Sequence, residues 1–478
     1  MSNTDVSNAK LHWSKTEFSE VSFGDKRLNM RFQKTVEKLS DQPLSSINQA
    51  CGNWANTKAA YRLFDNEKIK PEQILDPHRK KTQERIAGYS QVLVIQDTSF
   101  LNYTDHPSVT GLGGIGYKNK HKHKRDTVGL VMHTALAVST DGISLGILNQ
   151  EIWARDESKS SKKQSVSRQR VPVEEKESFK WLRGIMQTAP LIPPNVQAIT
   201  VCDRESDTYE FISKAESLGS QYLVRSSWDR AIKVDSEDHY LWQYMEGLPS
   251  KGIYEIQVEA KRIAKQKIAQ SRTAKMEVRY SRVDLKRNPK KKVNRKECFP
   301  TVASYVVWVK EINAPDGIEP LNWMLLTNVP VNSYSDAIER VRWYKLRWHI
   351  ESFHKVLKSG CNIELCRLET ADRLERYITL FSIIAWKLYW ITHINRVSPD
   401  KSCEEFLSDH EWKALYCKIN KTKSIPSKPP TIREATRWIA QLGGFLARKG
   451  DGDPGITTIW RGWQRLLDIS EAWLVFNS

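Results

Sequence analysis

Two short, unbroken apolar runs, each stopping at an aspartate, constrain this chain most. Val92-Leu93-Val94-Ile95 is β-branched and too short for a helix, which predicts a strand buried on both faces, with its end at Asp97. Val196 to Cys202 repeats the pattern and is predicted to end at Asp203. Around these runs, strands are predicted over Thr127–Ser139 and Ile143–Trp153, joined by a turn at Asp141-Gly142. Helices follow over Glu174–Met186 and Thr208–Leu218, and a strand over Gln221–Val224. Alternation of this kind predicts an α/β domain. In open α/β sheets, sites form beyond the carboxyl ends of strands. One aspartate there is commonly a cap or turn residue; a second adds some weight to a functional reading and does not decide it.

At 478 residues the chain is too long for one ordinary core, which predicts two to four domains. Residues 1 to 70 read as short helices carrying Lys26, Arg27, Arg31, Lys34, Lys58 and Arg62. They fit a small DNA-binding domain or a plain helical cap. Residues 230 to 325 interrupt the α/β pattern with β-rich segments at Ile253–Ala260, Met276–Arg282, Ser304–Ile312 and Trp323–Thr327. Between Lys261 and Lys296 runs a basic stretch that includes Lys290-Lys291-Lys292; it fits a solvated loop or a strand pair tracking phosphates. Glu157–Arg170 has no apolar period and is predicted to be a flexible loop. A helix is expected from about Ser335 to Ser359. Beyond Cys366 the chain reads as all-helical, with a linker at Asn420–Pro430 and helices over Ile432–Lys449 and Trp460–Phe476.

Charge narrows the partners. Lys and Arg number 74 against 56 Asp and Glu, a net +18, which suits a polyanion because each neutralised phosphate releases counterions. A basic enzyme without nucleic acid is the alternative. The 17 tryptophans serve cores, and they also stack on exposed bases. The seven cysteines are scattered with no CxxC pair, which predicts reduced thiols and no zinc site. The polar start shows no signal-peptide pattern, and the apolar stretch Tyr377–Thr392 is interrupted by Lys387 and too short to span a bilayer. The expectation is a cytoplasmic protein with no membrane partner.

The helix near residue 350 carries the chemistry. At about 100° per residue, Tyr344, Arg347, Glu351 and Lys358 fall within roughly a 60° arc of one helix face. Leu346, Ile350, Phe353 and Leu357 would line its opposite, buried face. A lattice of i,i+4 ion pairs would give the same pattern, and Arg347–Glu351 fits one. Together with two strand-end aspartates, however, a helical glutamate supplies oxygen ligands for two hard cations. Two such metals clamp the attacking and leaving oxygens of an in-line phosphoryl displacement.

The spacing Tyr344-(2)-Arg347-(3)-Glu351-(6)-Lys358 resembles the Y-R-E-K signature of the insertion-sequence-four (IS-four) family of bacterial transposases. Ile95-Gln96-Asp97-Thr98 and Asp203-Arg204-Glu205-Ser206-Asp207 look like that family's first and second catalytic aspartate segments. Leu321-Asn322-Trp323 resembles the segment bearing its base-stacking tryptophan. Ala60-Tyr61-Arg62, Glu175-Lys176-Glu177-Ser178, Val224-Arg225-Ser226 and Leu442-Gly443-Gly444-Phe445 are similar too, so the likeness runs from about residue 12 to 470.

This resemblance implies a ribonuclease-H-like catalytic core over 71–366, interrupted by the β-rich insertion at about 230–325. It implies a helical DNA-end-binding domain over 1–70 and a helical dimerisation domain over 367–478. Asp97, Asp203 and Glu351 would be catalytic and would ligate two Mg²⁺ ions, replaceable by Mn²⁺. Tyr344, Arg347, Lys358 and Arg225 would contact DNA, and Trp323 would receive a flipped base. Arg27, Arg31 and Arg62 would help read the transposon end. The implied function is a cut-and-paste transposase working as a homodimer in a synaptic complex with transposon ends and target DNA. It would nick, form and open a hairpin, and join the 3′-OH ends to the target. The alternatives are a metal-dependent nuclease and a DNA-binding inhibitor of transposition.

Three features invite other readings. Gly111 to Gly116 fits GxGxxG, yet a basic run follows it where a dinucleotide fold needs a helix. His121 and His123 alternate with lysines, which fits a DNA-facing loop better than a metal site. Glu205 and Asp207 flank Asp203 and read as supporting residues.

Overall fold

The computed structural model describes residues 12–116, 127–156, 172–258, 261–263, 266–269, 271–287, 300–448 and 450–477. The expected loop Glu157–Arg170, His121 and His123, and Lys290 to Lys292 lie outside these residues. Along the chain run α1 (Trp13–Glu17), α2 (Lys26–Asp41), α3 (Ile47–Cys51), α4 (Trp54–Phe64), α5 (Pro71–Ile86), β1 (Gln91–Asn102), β2 (Gly113–Gly114), β3 (Val128–Ser139) and β4 (Ser144–Trp153). Then come α6 (Phe179–Thr188), β5 (Gln197–Cys202), α7 (Tyr209–Ser217), β6 (Gln221–Arg225), β7 (Ala231–Val234), β8 (Glu237–Tyr240), α8 (Leu241–Gly247), β9 (Gly252–Val258), β10 (Lys261–Ile263) and β11 (Gln266–Ala269). The last are β12 (Arg272–Leu285), β13 (Val302–Glu311), β14 (Asn322–Thr327), α9 (Tyr334–Leu346), α10 (Trp348–Lys355), α11 (Ala371–Val397), α12 (Asp409–Asn420), α13 (Ile432–Leu442) and α14 (Ile456–Asn477). The chain forms two units. One holds Met1–Gly88, Thr98–Glu157 and His349–Ser478; the other holds Tyr89–Asp97 and Ser158–Trp348.

In the first unit, α2 starts where Asp25 accepts the N–H of Arg27 at 2.7 Å. Its face of Leu28, Phe32, Val36 and Leu39 is buried, and Phe32 meets the rings of Phe18 and Phe23 edge-on. The opposite side exposes Arg27, Arg31 and Lys34. Strands β3 and β4 form an antiparallel hairpin through Asp141-Gly142, and Gly142 has φ 90° at the turn. α5 lies on β4, where Arg79 and Arg85 donate to the Leu148 and Leu145 carbonyls. Between them His78 is fully buried: its Nε2 accepts the Ile147 N–H, so its Nδ1 carries the proton given to Glu17. Arg85 also grips Glu17 with both terminal nitrogens.

α11 is buried along most of its length, which is why its sequence is apolar on all sides. Tyr377–Thr392 therefore belongs to a core helix. Among the described residues no helix is long and apolar enough to cross a membrane. α13 and α14 cross where glycines let backbone touch backbone: a Cβ on Gly462 would stand 1.6 Å from the Ile439 carbonyl oxygen, and one on Gly443 would stand 1.9 Å from that of Thr458.

The second unit is built on parallel strands. The start of β1 pairs with β5 and β5 with β6, with α6 and α7 supplying the crossover segments. β6 then pairs antiparallel with β14, followed by β13, β12 and β7, with β9 also on β12. Residues 231–327 are thus β-rich, as the sequence predicts. Their core joins Trp181, Phe211, Tyr222, Met245, Val306 and Leu326.

Several boundaries differ from expectation. β1 runs on to Asn102, so Asp97 lies inside a strand and not past its end. α6 begins at Phe179, because Val173–Glu175 forms a 3-10 turn in place of a first helical turn. α13 stops at Leu442, where the Gly443 backbone meets α14. The continuous helix expected over 335–359 is three pieces: α9, α10, and a π-helical turn at Val356–Gly360. Gly111–Gly116 contains only the two-residue β2, where Gly113 leaves room for the Arg155 backbone.

Candidate active site

The β1–β5 ladder sets the first two carboxylates. Its register runs from Gln91 opposite Gln197 to Ile95 opposite Val201. Asp97 and Asp203 each stand two residues beyond the last paired rung, Asp97 still within β1 and Asp203 just past the end of β5. Both charges bear on the buried Cys202 thiol and help push its pKa up, after burial itself.

Asp203 opens a 3-10 turn and caps it, accepting the Glu205 N–H at 2.8 Å. Ser206 donates back to the Asp203 carbonyl at 2.8 Å. Burial raises the Asp203 pKa, and the Glu205 charge adds to that. The Glu205 N–H, Arg347 and Lys180 oppose the rise without cancelling it. Lys180, almost fully buried, reaches Glu205 at 3.2 Å. Asp207 is buried, accepts the Ser227 N–H at 2.7 Å and pairs with Arg230. It ties the aspartate turn to the loop that follows Arg225.

A cationic cluster stands beside the carboxylates. Arg225, at the end of β6, donates to the Asn322 carbonyl at 2.8 Å. Burial lowers its pKa, and the charges of Arg204 and Arg347 lower it further, while Tyr344 acts the other way. Tyr344 is buried, so its hydroxyl pKa is raised by burial first, against the pull of Arg347 and Arg225. The Arg347 guanidinium lies 5.9 Å from the Tyr344 ring centre. Trp323 lies 6.0 Å from the same ring, tilted 60°. Arg204 and Arg347 thus repel the Arg225 guanidinium, and Arg225 and Arg347 both bear on the Tyr344 phenol.

In this unit the structure therefore brings together Asp97, Asp203, Arg225, Tyr344, Arg347 and Trp323. Tyr344 does not lie on a solvated face as the helical-wheel reading has it, and the chain breaks at Arg347 between α9 and α10.

Glu351 and Lys358 belong to the first unit. Glu351 is half-buried on α10, whose Ile350 and Phe353 are buried; Leu357 is buried in the π turn. Leu346, expected on that buried face, is only partly covered. Lys358 donates to the Phe100 carbonyl at 2.7 Å and pairs with Glu364 at 3.2 Å. Among the described residues, no group of three or more His, Cys, Asp or Glu stands close enough together to hold a metal ion. Asp97 and Asp203 fit a hard divalent cation by donor chemistry, since both offer carboxylate oxygens.

Arg27, Arg31, Lys34 and Lys38 line a cleft on α2 whose other wall includes Cys51 and Asn56. Arg62 is exposed on α4. Lys180, Arg204 and the anchoring pairs of Asp207 and Glu311 escaped the sequence reading. Only Arg204 carried a local signal, through its place beside Asp203.

Residues 10–69 match the transposase DNA-binding family, residues 89–386 the transposase DDE domain, and residues 383–473 the transposase Tn5 dimerisation domain.

Proposed function

We propose a cut-and-paste cycle for this chain, which belongs to the DDE transposases of the IS-four family and is a DNA transposase acting by metal-dependent phosphoryl transfer. The single observation that supports the reading is the β1–β5 register, whose last pair, Ile95 opposite Val201, stands two residues before each aspartate. Glu351 is the third carboxylate. The three would hold two Mg²⁺ ions, with Mn²⁺ able to replace them. Bound there, the metals supply charge neutralisation for the attacking and leaving oxygens.

The chain's own groups orient DNA. Arg225, Arg347 and the Tyr344 hydroxyl bind phosphate oxygens, with Lys358 as a further contact, and Trp323 stacks an unpaired base. Water first hydrolyses one strand at the transposon end and frees a 3′-OH. That hydroxyl attacks the opposite strand and closes a hairpin, and the flanking strand leaves. A second water opens the hairpin, and the 3′-OH then attacks target DNA. No covalent protein intermediate forms.

The catalytic core is ribonuclease-H-like. Parallel β5 and β6 beside the start of β1 support this, as does the antiparallel β3–β4 pair beside its last residues, where Gly129 leaves room for the Leu101 carbonyl. Residues 1–70 read the end sequence through Arg27, Arg31 and Arg62, which the match over 10–69 supports. Residues 367–478 join two copies into a synaptic complex, which the match over 383–473 supports. The setting is the bacterial cytosol.

The test uses purified protein, Mg²⁺ and a labelled duplex carrying the inverted repeat that borders this gene, resolved on a denaturing gel. A hairpin that needs metal and vanishes in Glu351→Gln is the expected result. Nicks without hairpins favour a nuclease, and binding without cleavage in either metal favours a DNA-binding inhibitor.

A further inference from the structure

The hairpin of β13 and β14 carries an ion pair at its loop end, where segment 312–321 joins the strands. Glu311, with a fully buried side chain, closes β13. Arg272 opens β12 and meets Glu311 in a two-point fork: Nε donates to Oε1 at 3.0 Å and a terminal nitrogen to Oε2 at 2.7 Å. The same Oε2 accepts the Leu321 N–H at 3.0 Å, and the Glu311 N–H donates to the Leu321 carbonyl at 2.8 Å. The hydrogen bond from Arg272 holds the Glu311 carboxyl below its usual range. Arg272 keeps a partly exposed side chain, while the buried Glu311 carboxylate has its oxygens held by the guanidinium and the Leu321 N–H.

The pair fixes the residue next in the chain. Asn322 follows Leu321 and makes two bonds in different directions. Its side-chain oxygen accepts the Trp308 indole N–H at 2.7 Å, and its backbone carbonyl accepts Arg225 at 2.8 Å. Trp323 comes next, 6.0 Å from Tyr344. One backbone turn thus sets a phosphate-facing guanidinium and an aromatic ring together, and the Glu311–Arg272 fork sets that turn. A ten-residue segment, 312–321, separates the two strands, so turn geometry alone does not impose the alignment.

We propose that Glu311 and Asn322 are positioning residues for the hairpin-forming step: they hold Arg225 and Trp323 in the relative placement that captures an unpaired base and its phosphate. This rests on the reading of Trp323 as a base platform. Removing either residue leaves the carboxylates and hydrolytic nicking intact and slows hairpin closure, which alone requires the displaced base.

The experiment compares Glu311→Gln, Asn322→Ala and Trp323→Ala in full-length protein on the labelled inverted-repeat duplex with Mg²⁺. Nicking and hairpin formation are timed separately, and 2-aminopurine near the cleaved end reports base displacement. Asn322 is exposed, so its alanine variant keeps the fold even if Glu311→Gln does not. In Asn322→Ala, nicking is expected to stay within about twofold and hairpin closure to fall roughly tenfold or more, with reduced 2-aminopurine signal. A duplex with an abasic site opposite the displaced base, which removes the cost of unpairing, is expected to restore closure. Equal loss in both steps, or no rescue, overturns the inference and leaves a purely structural role. A defect in Trp323→Ala with none in Glu311→Gln and Asn322→Ala overturns it and spares the platform reading. Normal closure in Trp323→Ala overturns the platform reading and the inference with it.

Discussion

Adding one methyl group at Gly462 sets two effects of known size against each other. Gly462 lies inside α14 with an ordinary helical backbone, so helix propensity alone favours alanine by about 1 kcal/mol. Packing opposes it. The new Cβ would lie 1.6 Å from the Ile439 carbonyl oxygen and 2.6 Å from its carbon, where a tolerable contact begins at 3.0 Å. The obstacle is backbone, so no rotamer change relieves it. α13 must retreat from α14, loosening Ile432, Ala435, Ile439 and Leu466, all fully buried. A backbone clash this short belongs at the upper end of the roughly 1–3 kcal/mol that overpacking costs, about 3 kcal/mol, so after the propensity gain the net effect is destabilising by about 2 kcal/mol. In a cooperative unit of this size that lowers the melting transition by roughly 4–8 °C. Circular dichroism melts of Gly462→Ala measure this directly, with Gly455→Ala as control, since a Cβ there meets nothing within 4 Å. Sedimentation at matched concentration should also show loss of dimer, because both helices fall in the matched dimerisation region. A variant that melts higher, by the margin propensity predicts, would refute the crossing described here.

Other perturbations test other parts. The Glu17 carboxyl is pushed up by burial but brought down to about 2 by His78 and Arg85. Because its folded pKa is depressed, it adds about 3 kcal/mol that is present above pH about 4.5 and lost as pH falls toward 2. Burial likewise lowers the His78 pKa, so that residue opposes folding once the pH drops below about 6.5. Melting temperature should therefore fall with acid, and Glu17→Gln should be less stable at pH 7 with a flatter decline below pH 5; a parallel decline in both proteins would contradict this. Neutralising Arg27, Arg31 or Lys34 should each weaken end binding and reduce the slope of log affinity against log salt by about one, measured by fluorescence anisotropy; unchanged slopes would remove that face of α2 from the interface. Gly184 packs so closely that a Cβ would lie 2.3 Å from the buried Gln96 amide, next to Asp97. Gly184→Ala should cut the nicking rate at least tenfold with end affinity retained; wild-type rates would show that α6 does not brace Asp97.

Much of the framework was legible because it rests on local pattern. Val92–Ile95 and Val196–Cys202 read as buried strands, and the β3–β4 hairpin announces its turn with Asp141-Gly142. What stayed hidden depends on distant partners. Leu346-Arg347-Trp348 contains no helix breaker, so nothing in the sequence marks the break between α9 and α10. The π turn ends at Gly360, where a Cβ would meet the Trp460 ring at 3.2 Å, a neighbour one hundred residues away. Likewise Arg272 and Glu311 are ordinary charged residues until β12 and β13 bring them together. Burial of Tyr344 could not be read from a helical wheel, because the wheel assumes a single straight cylinder with one wet side.

β6 and β14 are direct neighbours, with Arg225 opposite Leu325. The strands β7, β9, β12 and β13 that lie between them in sequence therefore extend the same sheet beyond β14, and the chain comes back beside the strand it left. Such a detour can lengthen, shrink or be exchanged over evolutionary time while the rungs between β1, β5 and β6 stay in step. Lineages can thus remodel how DNA is gripped without redrawing the spacing of the aspartates. The same anatomy offers engineers a natural cassette boundary, with two splice points one strand apart.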